Sequence, residues 1–138
     1  MARHHFHFAA LALAAPTLTV AAPPAQHETV TPQFTHAIPH IPGKSLVAAV
    51  VDYAPGAASP PHHHAPSAFV FAYVLSGAIR SQVGDGPTRV YHAGESFYEE
   101  PGAHHQVSAN ASAIQPARLL AVFVVDSADK ALTIPDAH

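Results

Sequence analysis

Two groups of histidines are the residues of this chain best suited to chemistry. The chain has 138 residues, of which 13 are histidine. Consecutive histidines stand at positions 62, 63 and 64, and a further pair stands at 104 and 105. Alternate side chains of a β-strand share a face, so His62 and His64 point the same way while His63 points oppositely. Two imidazoles on one face of a stiff strand can hold one metal ion. A solvated patch of histidines is the alternative interpretation of the run.

The absence of cysteine narrows the chemistry of such a site. With no cysteine in the chain, disulfides, thiolate ligands and thiol nucleophiles are excluded. A metal site must then use nitrogen and oxygen ligands. These suit one divalent transition metal ion, such as Fe, Ni, Mn, Cu or Zn, and disfavour Cu(I) or an iron–sulfur cluster.

Composition limits the partners that we expect. Charged residues make up 11% of the chain, apolar residues make up 49%, and the formal net charge is -3. This balance is typical of a single folded domain with a buried core. The chain has six Lys and Arg residues and no basic run, so it lacks the positive surface that attracts nucleic acids or anionic membranes. We therefore expect a small-molecule substrate or ligand and no nucleic-acid partner.

Residues 1–25 have the features of a secretory signal peptide. Arg3 precedes an Ala- and Leu-rich apolar run at 8–20, and small residues follow the run. The run is shorter than the about 20 residues that span a membrane, and Pro16 interrupts it. A buried N-terminal helix is the alternative interpretation. Cleavage between about 22 and 27 would leave a mature protein that is periplasmic or secreted and has no membrane segment.

The rest of the chain divides into an arm, a barrel and a tail. Residues 26–44 are rich in proline, which at this density allows only extended or edge-strand structure, and we interpret them as an arm. Residues 45–127 contain short apolar or alternating runs separated by turn residues, and residues 128–138 form a short polar tail. Many short strands at even spacing predict an all-β fold, a small antiparallel β-barrel or jelly roll. The predicted strands are 45–53, 69–75, 78–83, 88–92, 96–99, 106–108 and 118–126.

One of these strands carries a more specific expectation. From Phe69 to Leu75, large and smaller apolar residues alternate without a polar position. Such a run is typical of a strand buried on both faces, so we expect its side chains to be core or pocket wall.

Two segments resemble the motifs of the cupin family. In the first cupin motif, a glycine is followed after five residues by His-x-His, then by a glutamate and a later glycine. The matching residues here are Gly56, His62, His64 and Gly77. In the second motif, a glycine precedes a Pro-x-Gly turn, a histidine and a downstream asparagine. The matching residues are Gly94, Gly102, His105 and Asn110. The resemblance covers residues 56–110 and implies a cupin barrel, with Asn110 as a turn or backbone-capping residue rather than a ligand.

Two departures from the cupin motifs bear on the site. Glu100 stands where the second motif has its proline, and Pro101 comes one place later. His104 therefore competes with His105 for the ligand role, and the Gly-x-x-His spacing favours His105. The window 67–70, where the first motif has its glutamate, contains no carboxylate.

The resemblance implies one divalent metal ion held by three neutral histidines, His62, His64 and His105. Cysteine dioxygenases and diketone-cleaving dioxygenases are cupins of this three-histidine kind. Three neutral ligands leave the charge of the ion uncompensated, which favours an anionic chelating substrate such as an enolate or phenolate. Strand alternation turns either Glu99 or Glu100 inward, where it could act as a fourth ligand or a general base. A surface carboxylate is the alternative interpretation for either residue.

These features predict an exported mononuclear metal-binding cupin. The leading hypothesis is an oxidoreductase of the dioxygenase type that acts on a small chelating organic molecule. The alternatives are a non-catalytic cupin that captures a small ligand or a metal, and a metal-free, isomerase-like cupin, because a fold does not fix a function. Cupin barrels commonly pair through edge strands, so the resemblance also predicts a homodimer in which residues 28–42 lie across the partner.

Overall fold

The computed structural model describes residues 28–137 of the chain. Its regular elements are β-strands, and the prediction of an all-β fold is confirmed. No helix in this part of the chain is long and apolar enough to span a membrane. The strands, numbered along the chain, are β1 (Thr29–Ala37), β2 (Lys44–Tyr53), β3 (Ala58–Ser59), β4 (His62–His64), β5 (Phe69–Ser76), β6 (Ala78–Val83), β7 (Arg89–His92), β8 (Ser96–Glu99), β9 (His104–Asn110), β10 (Ala117–Asp126) and β11 (Thr133–Pro135).

The strands form two antiparallel sheets that enclose a common core. The first sheet has the order β1-β2-β10-β5-β8, and the second has the order β11-β4-β9-β6-β7 with β3 added beside β9. Buried residues of both sheets belong to one cluster, in which Val74 and Leu119 of the first sheet join Ile79 of the second. This is the two-sheet arrangement of a jelly roll.

Alternation of side chains determines which residues of a strand face the core. In β10, which lies between β2 and β5, every second residue is buried along the whole strand. The predicted strands at 78–83 and 96–99 have the bounds of β6 and β8, whereas the predicted strand at 106–108 is the middle of the longer β9. Because β9 begins at His104, the second sheet includes the pair His104 and His105.

The prediction that β5 is buried on both faces is wrong. Val70 and Val74 are at most 1% exposed, whereas Phe69 and Phe71 are 39% and 42% exposed. These large side chains lie on the outer face of the first sheet, which is partly exposed within the described residues. Phe69, for example, stacks on Tyr98 of β8 with ring centroids 5.9 Å apart.

Two motif residues other than histidine stabilise the conformation of the backbone. Gly77 joins β5 to β6 with a φ of 71°, which is accessible to glycine at little cost. A Cβ atom at Gly77 would also lie 2.5 Å from the carbonyl oxygen of Pro116. Asn110 donates hydrogen bonds from Nδ2 to the carbonyls of Ala54 at 3.1 Å and Gln115 at 2.7 Å. Asn110 therefore has the backbone-capping role that the sequence predicts.

Each end of the described chain adds an edge strand. β1 lies within the predicted arm and pairs with β2, and all nine of its residues are exposed. β11 lies within the predicted tail and pairs with β4. The sequence did not indicate β11, because three residues are too few to show a period. The predicted signal peptide at 1–25 lies outside the described residues.

Candidate metal centre

The register of two neighbouring strands brings three histidines together inside the barrel. β4 pairs with β9 so that His62 stands opposite His105 and His63 stands opposite His104. Opposite residues of an antiparallel pair share a face, so the first pair points inward and the second pair outward. His64 joins the inner pair, and one ligand nitrogen from each of the three lies within 4.8 Å of the others. Of the two residues that competed for this place, His105 occupies it and His104 lies on the outer face.

Backbone carbonyls orient two of the three imidazoles. His62 donates from Nδ1 to the carbonyl of Pro60 at 2.8 Å, and His64 donates from Nδ1 to the carbonyl of Leu132 at 2.9 Å. Because a carbonyl can only accept, each neutral ring carries its proton on Nδ1 and keeps a lone pair on Nε2. Histidines that bind metals are typically held in this way, with the other ring nitrogen donating to a second partner.

His105 is held in the opposite orientation. Its Nε2 lies 2.9 Å from the hydroxyl oxygen of Ser81, a buried residue of β6. Its Nδ1 lies 3.0 Å from Oε1 of Glu99. The same carboxylate oxygen lies 3.4 Å from Nε2 of His64. The ring nitrogens that do not contact Pro60, Leu132 or Ser81 therefore face one another inside the pocket.

The opposite sheet supplies the carboxylate. Glu99 is the last residue of β8 and is 3% exposed, whereas the adjacent Glu100 is exposed. Adjacent residues of a strand point oppositely, so Glu99 faces the pocket and Glu100, the other candidate, lies outside it. Glu99 stands opposite Val70 in the β5–β8 pair, and Val70 belongs to the window in which the motif glutamate is missing. A carboxylate that is absent from one strand is thus present on its neighbour.

The ionisable groups of this site suit a cation. Burial raises the pKa of the Glu99 carboxyl, but hydrogen bonds with His105 and His64 outweigh burial and lower the pKa to about 2. Glu99 is therefore ionised at neutral pH. Burial lowers the pKa of His62, against the opposing effect of its hydrogen bond to Pro60. The neutral form of His62, which is the form that binds a metal, is thereby favoured.

The contacts of Glu99 favour a positive charge beside it. His64 contacts the carbonyl of Leu132 through Nδ1 and Glu99 through Nε2. Because both of these oxygens only accept, both contacts are hydrogen bonds only when the ring carries two protons and a positive charge. The second oxygen of Glu99 is buried and has no hydrogen-bond partner within residues 28–137. A divalent ion held by the three histidines, with Glu99 as a further oxygen donor, would supply this positive charge and a partner for the carboxylate. Three nitrogens and one oxygen are a donor set suited to Fe, Mn, Ni, Cu or Zn.

Further polar residues line the pocket, among them Tyr53 and Glu28, and the sequence indicated neither of these two. The buried hydroxyl of Tyr53 lies 2.7 Å from Oγ of Ser108 and 2.8 Å from Oγ of Ser59. Burial raises the pKa of Tyr53, so the phenol stays protonated at neutral pH. Glu28 also lines the pocket, and its Oε2 is buried without a partner in the described part of the chain. The pairing of β1 with β2 brings Glu28 to the pocket, and no local pattern signals such a long-range contact.

The pocket is small and its walls are apolar. Its volume is about 70 Å³, which is enough for a few water molecules or a small organic anion. Val70, Leu119 and Phe123 form part of the wall. Phe123 packs edge-on against His64 with ring centroids 5.1 Å apart. Apolar walls of this kind lower the local dielectric constant and so strengthen electrostatic interactions at the histidine cluster.

Several solved structures have the same fold. One is the crystal structure of a protein from Thermus thermophilus, with 23% identity and a TM-score of 0.59 over 72% of this chain and 84% of that chain. Another is an uncharacterized conserved protein with a double-stranded β-helix domain from Klebsiella pneumoniae, with 22% identity and a TM-score of 0.62 over 80% and 88% of the two chains. These two likenesses show the fold alone.

A third similar structure is that of an enzyme. It is a recombinant oxalate oxidase in complex with glycolate, with 25% identity and a TM-score of 0.56 over 71% of this chain and 51% of that chain. The chain thus spans about half the length of that oxidase. No curated protein sequence matches the chain significantly.

A family model matches the part of the chain that carries the inner histidines. Residues 49–123, more than half of the chain, match the cupin domain. The matched segment includes both histidine groups and Glu99, and the two sheets around it form the jelly roll that the motifs imply. On this match and this fold, the chain belongs to the cupin family.

Proposed function

We propose that the chain is a mononuclear metal-dependent oxidoreductase, of the dioxygenase type, that acts on a small organic molecule which chelates through oxygen. The observation that carries the proposal is the inner cluster, in which three histidines and an ionised Glu99 converge. Side-chain exposure is 4% for His105 and 3% for Glu99. A divalent ion held there would supply an electrophilic centre for an oxygen of the substrate.

Glu99 changes the charge that such a centre presents. Three neutral histidines alone would leave both charges of the ion uncompensated. With Glu99 ionised, the same ion leaves one net positive charge in a pocket with apolar walls. An anionic oxygen of the substrate still gains from that charge, because the interaction is weakly screened there. The small volume of the pocket favours a ligand with few atoms, such as a short carboxylic acid or an enolate.

The similarity to an oxalate oxidase with bound glycolate supports this class of substrate. Oxalate and glycolate are two-carbon acids that can offer two oxygens to one cation. The likeness covers half of that protein, so it supports the kind of ligand rather than the reaction.

The residues around the pocket have different roles in this proposal. Glu99, with a pKa lowered to about 2, is a poor general base at neutral pH, since an effective base has a pKa near the working pH. We assign it to the ion and to the orientation of His64 and His105. Glu28 lines the pocket and has a buried oxygen without a partner in the described residues, and we propose it as the group that accepts a proton from a bound acid or enol.

Oxygen uptake tests the proposal and separates it from its alternatives. In a dioxygenase reaction the substrate supplies all four electrons that reduce O₂, and both oxygen atoms enter the organic products, so no further reductant is needed. The mature chain, loaded in turn with Fe²⁺ or Mn²⁺, is mixed with oxalate, glycolate, diketones, flavonols, catechols and thiols while O₂ and H₂O₂ are recorded.

The outcomes of this experiment are distinct. Uptake of O₂ without H₂O₂, lost in His105→Ala and retained in the adjacent His104→Ala, supports the dioxygenase. Uptake with one H₂O₂ per O₂ indicates an oxidase at the same site and contradicts the dioxygenase type. No uptake with any combination contradicts an oxidoreductase, and tight retention of a ligand would then indicate a binding protein.

We also propose that the chain is exported, on the basis of residues 1–25. Expression of the full chain in a Gram-negative host, followed by N-terminal sequencing, tests this. A periplasmic product that begins between positions 23 and 28 is expected. An intact chain confined to the cytoplasm contradicts export.

We further propose that the mature chain forms a homodimer through β1. This edge strand is exposed along all nine residues, and Val30 and Phe34 are 55% and 52% exposed. A long edge with free backbone groups and apolar side chains is usually covered. Light scattering should show a dimer that Phe34→Asp converts to a monomer. A wild-type monomer at micromolar concentration contradicts the proposal.

A further inference from the structure

A second cluster of metal-ligating side chains lies on the outside of the same two strands. Nδ1 of His63 lies 3.2 Å from Oδ1 of Asp136, and Nε2 of His104 lies 2.7 Å from Oδ2 of the same residue. The two imidazoles are stacked, with centroids 4.5 Å apart and planes 11° apart. One ligand atom from each of the three side chains lies within 4.8 Å of the others. We call these residues the outer cluster.

Backbone pairing fixes all three positions. His63 and His104 are opposite each other in the β4–β9 pair. On the other side of β4, β11 pairs with it so that Ile134 stands opposite His63. Two residues after Ile134, Asp136 donates its backbone N–H to the carbonyl of Pro61 at 3.1 Å. The carboxylate is thus brought to the histidines by the ladder and does not depend on a long flexible segment.

We propose that the outer cluster is a second metal site, which binds a divalent ion such as Zn²⁺ or Cu²⁺ independently of the inner cluster. Two imidazoles and one carboxylate form a nitrogen and oxygen donor set that these ions favour. The ion takes the place of the two N–H···O contacts, and each imidazole then carries its proton on its other nitrogen. Side-chain exposure of 47%, 33% and 33% for His63, His104 and Asp136 leaves room for water as a further ligand.

An ion at this site fastens the C-terminal segment to the barrel. β11 has three residues, all exposed, and pairs with a strand of the same length. The segment that leads to β11 includes Leu132, whose carbonyl accepts hydrogen bonds from Nδ1 of His64 and from the amide of Ala65. Fastening Asp136 to His63 and His104 therefore holds β11 and the segment that leads to it against β4.

Calorimetric titration with Zn²⁺ of the chelator-treated, full mature chain tests the proposal. We expect two binding events per chain in the wild type. Asp136→Asn should weaken one event by at least about tenfold and leave the other, whereas His62→Ala should remove the other and leave the first. Asp85→Asn, which makes the same charge change in an exposed turn, is the matched control and should retain both events.

Hydrogen exchange provides a second measurement that does not depend on activity. Zn²⁺ should slow exchange at the amides of Ala65 and Asp136 in the wild type and in His62→Ala, but not in Asp136→Asn. If Asp136→Asn already exchanges rapidly at these amides without metal, β11 has detached, and His104→Gln replaces it as the test variant. A single Zn²⁺ event that disappears in His62→Ala, or two events that survive in both outer variants, would overturn the proposal.

Discussion

The inner and outer faces of the β4–β9 ladder carry the same residue types in different surroundings. On the inner face, His62 and His105 form an opposite pair with Glu99 beside them. On the outer face, His63 and His104 form the next pair, with Asp136 beside them. Inner side chains are at most 11% exposed and outer ones at least 33% exposed. A shift of one residue along the strand separates a buried cluster from a hydrated one.

Strand alternation thus places adjacent histidines in different environments, which gives them different properties. Inside, the imidazoles are oriented by carbonyls and a buried hydroxyl, and charge acts through a medium of low dielectric constant. Outside, water competes for the same donors and screens the carboxylate. Both clusters have donors for a metal, but the inner cluster should hold it more tightly and should also be more sensitive to the loss of one group.

Replacement of adjacent histidines should give the largest contrast between the two faces. His105→Ala should abolish tight metal retention at the inner cluster, a larger loss than the roughly 10–100-fold caused by loss of a partner outside the coordination sphere. His104→Ala should leave that retention unchanged, because its side chain lies on the other face. Mass spectrometry of metal per chain after dialysis against a weak chelator measures both. Equal loss in the two variants would show that the faces are not independent.

Acid should destabilise the inner face through Glu99. Its pKa is about 2 in the folded protein, against an ordinary value of 4.5, so the ionised group stabilises the fold above pH 4.5 and the contribution is lost as the pH falls towards 2. The shift corresponds to about 3 kcal/mol of unfolding free energy. Metal-free wild type should therefore lose up to about 3 kcal/mol more than Glu99→Gln between these pH values.

Denaturant unfolding at a series of pH values measures this difference. Glu100→Gln is the matched control, because Glu100 is adjacent but exposed, and it should follow the wild-type curve. In wild type and Glu100→Gln, His62, with its lowered pKa, adds a loss of stability as the pH falls below 6.5. Glu99→Gln removes a carboxylate that raises the pKa of His62, so the comparison is confined to the interval from pH 4.5 to pH 2. Parallel curves for wild type and Glu99→Gln would show that Glu99 is not held in its ionised form by the histidines.

The sequence was sufficient to predict the fold and the three inner histidines, because these depend on local patterns. Period-two alternation and turn residues located most of the strands, and the His-x-His spacing alone puts His62 and His64 on one face. The choice of His105 over His104 followed from motif spacing, and the ladder places His105 inside. These are statements about neighbours along one strand or one turn.

The parts that the sequence did not predict depend on contacts between distant strands. The inward position of Glu99 is set by its pairing with Val70, and alternation could say only that one of two glutamates faces inward. Glu28 reaches the pocket through β1, and Asp136 reaches the outer cluster through β11. The exposure of Phe69 and Phe71 was missed because an apolar run has the same composition whether its second face is covered or bare.

Removal of the hydroxyl group that orients His105 should have a smaller effect on metal affinity, and one that is limited to the inner cluster. Ser81 Oγ lies 2.9 Å from Nε2 of His105 and Ser81 is 3% exposed. Ser81→Ala removes this partner but no ligand, so inner-site affinity should fall by about tenfold, while Zn²⁺ binding at the outer cluster should not change. Ser81→Thr keeps the hydroxyl and should restore most of the affinity. Competition against a chelating dye gives both values. If Ser81→Ala binds metal as tightly as the wild type does, Glu99 alone is sufficient to orient His105. The geometry of the inner cluster would then depend on the carboxylate rather than on strand pairing.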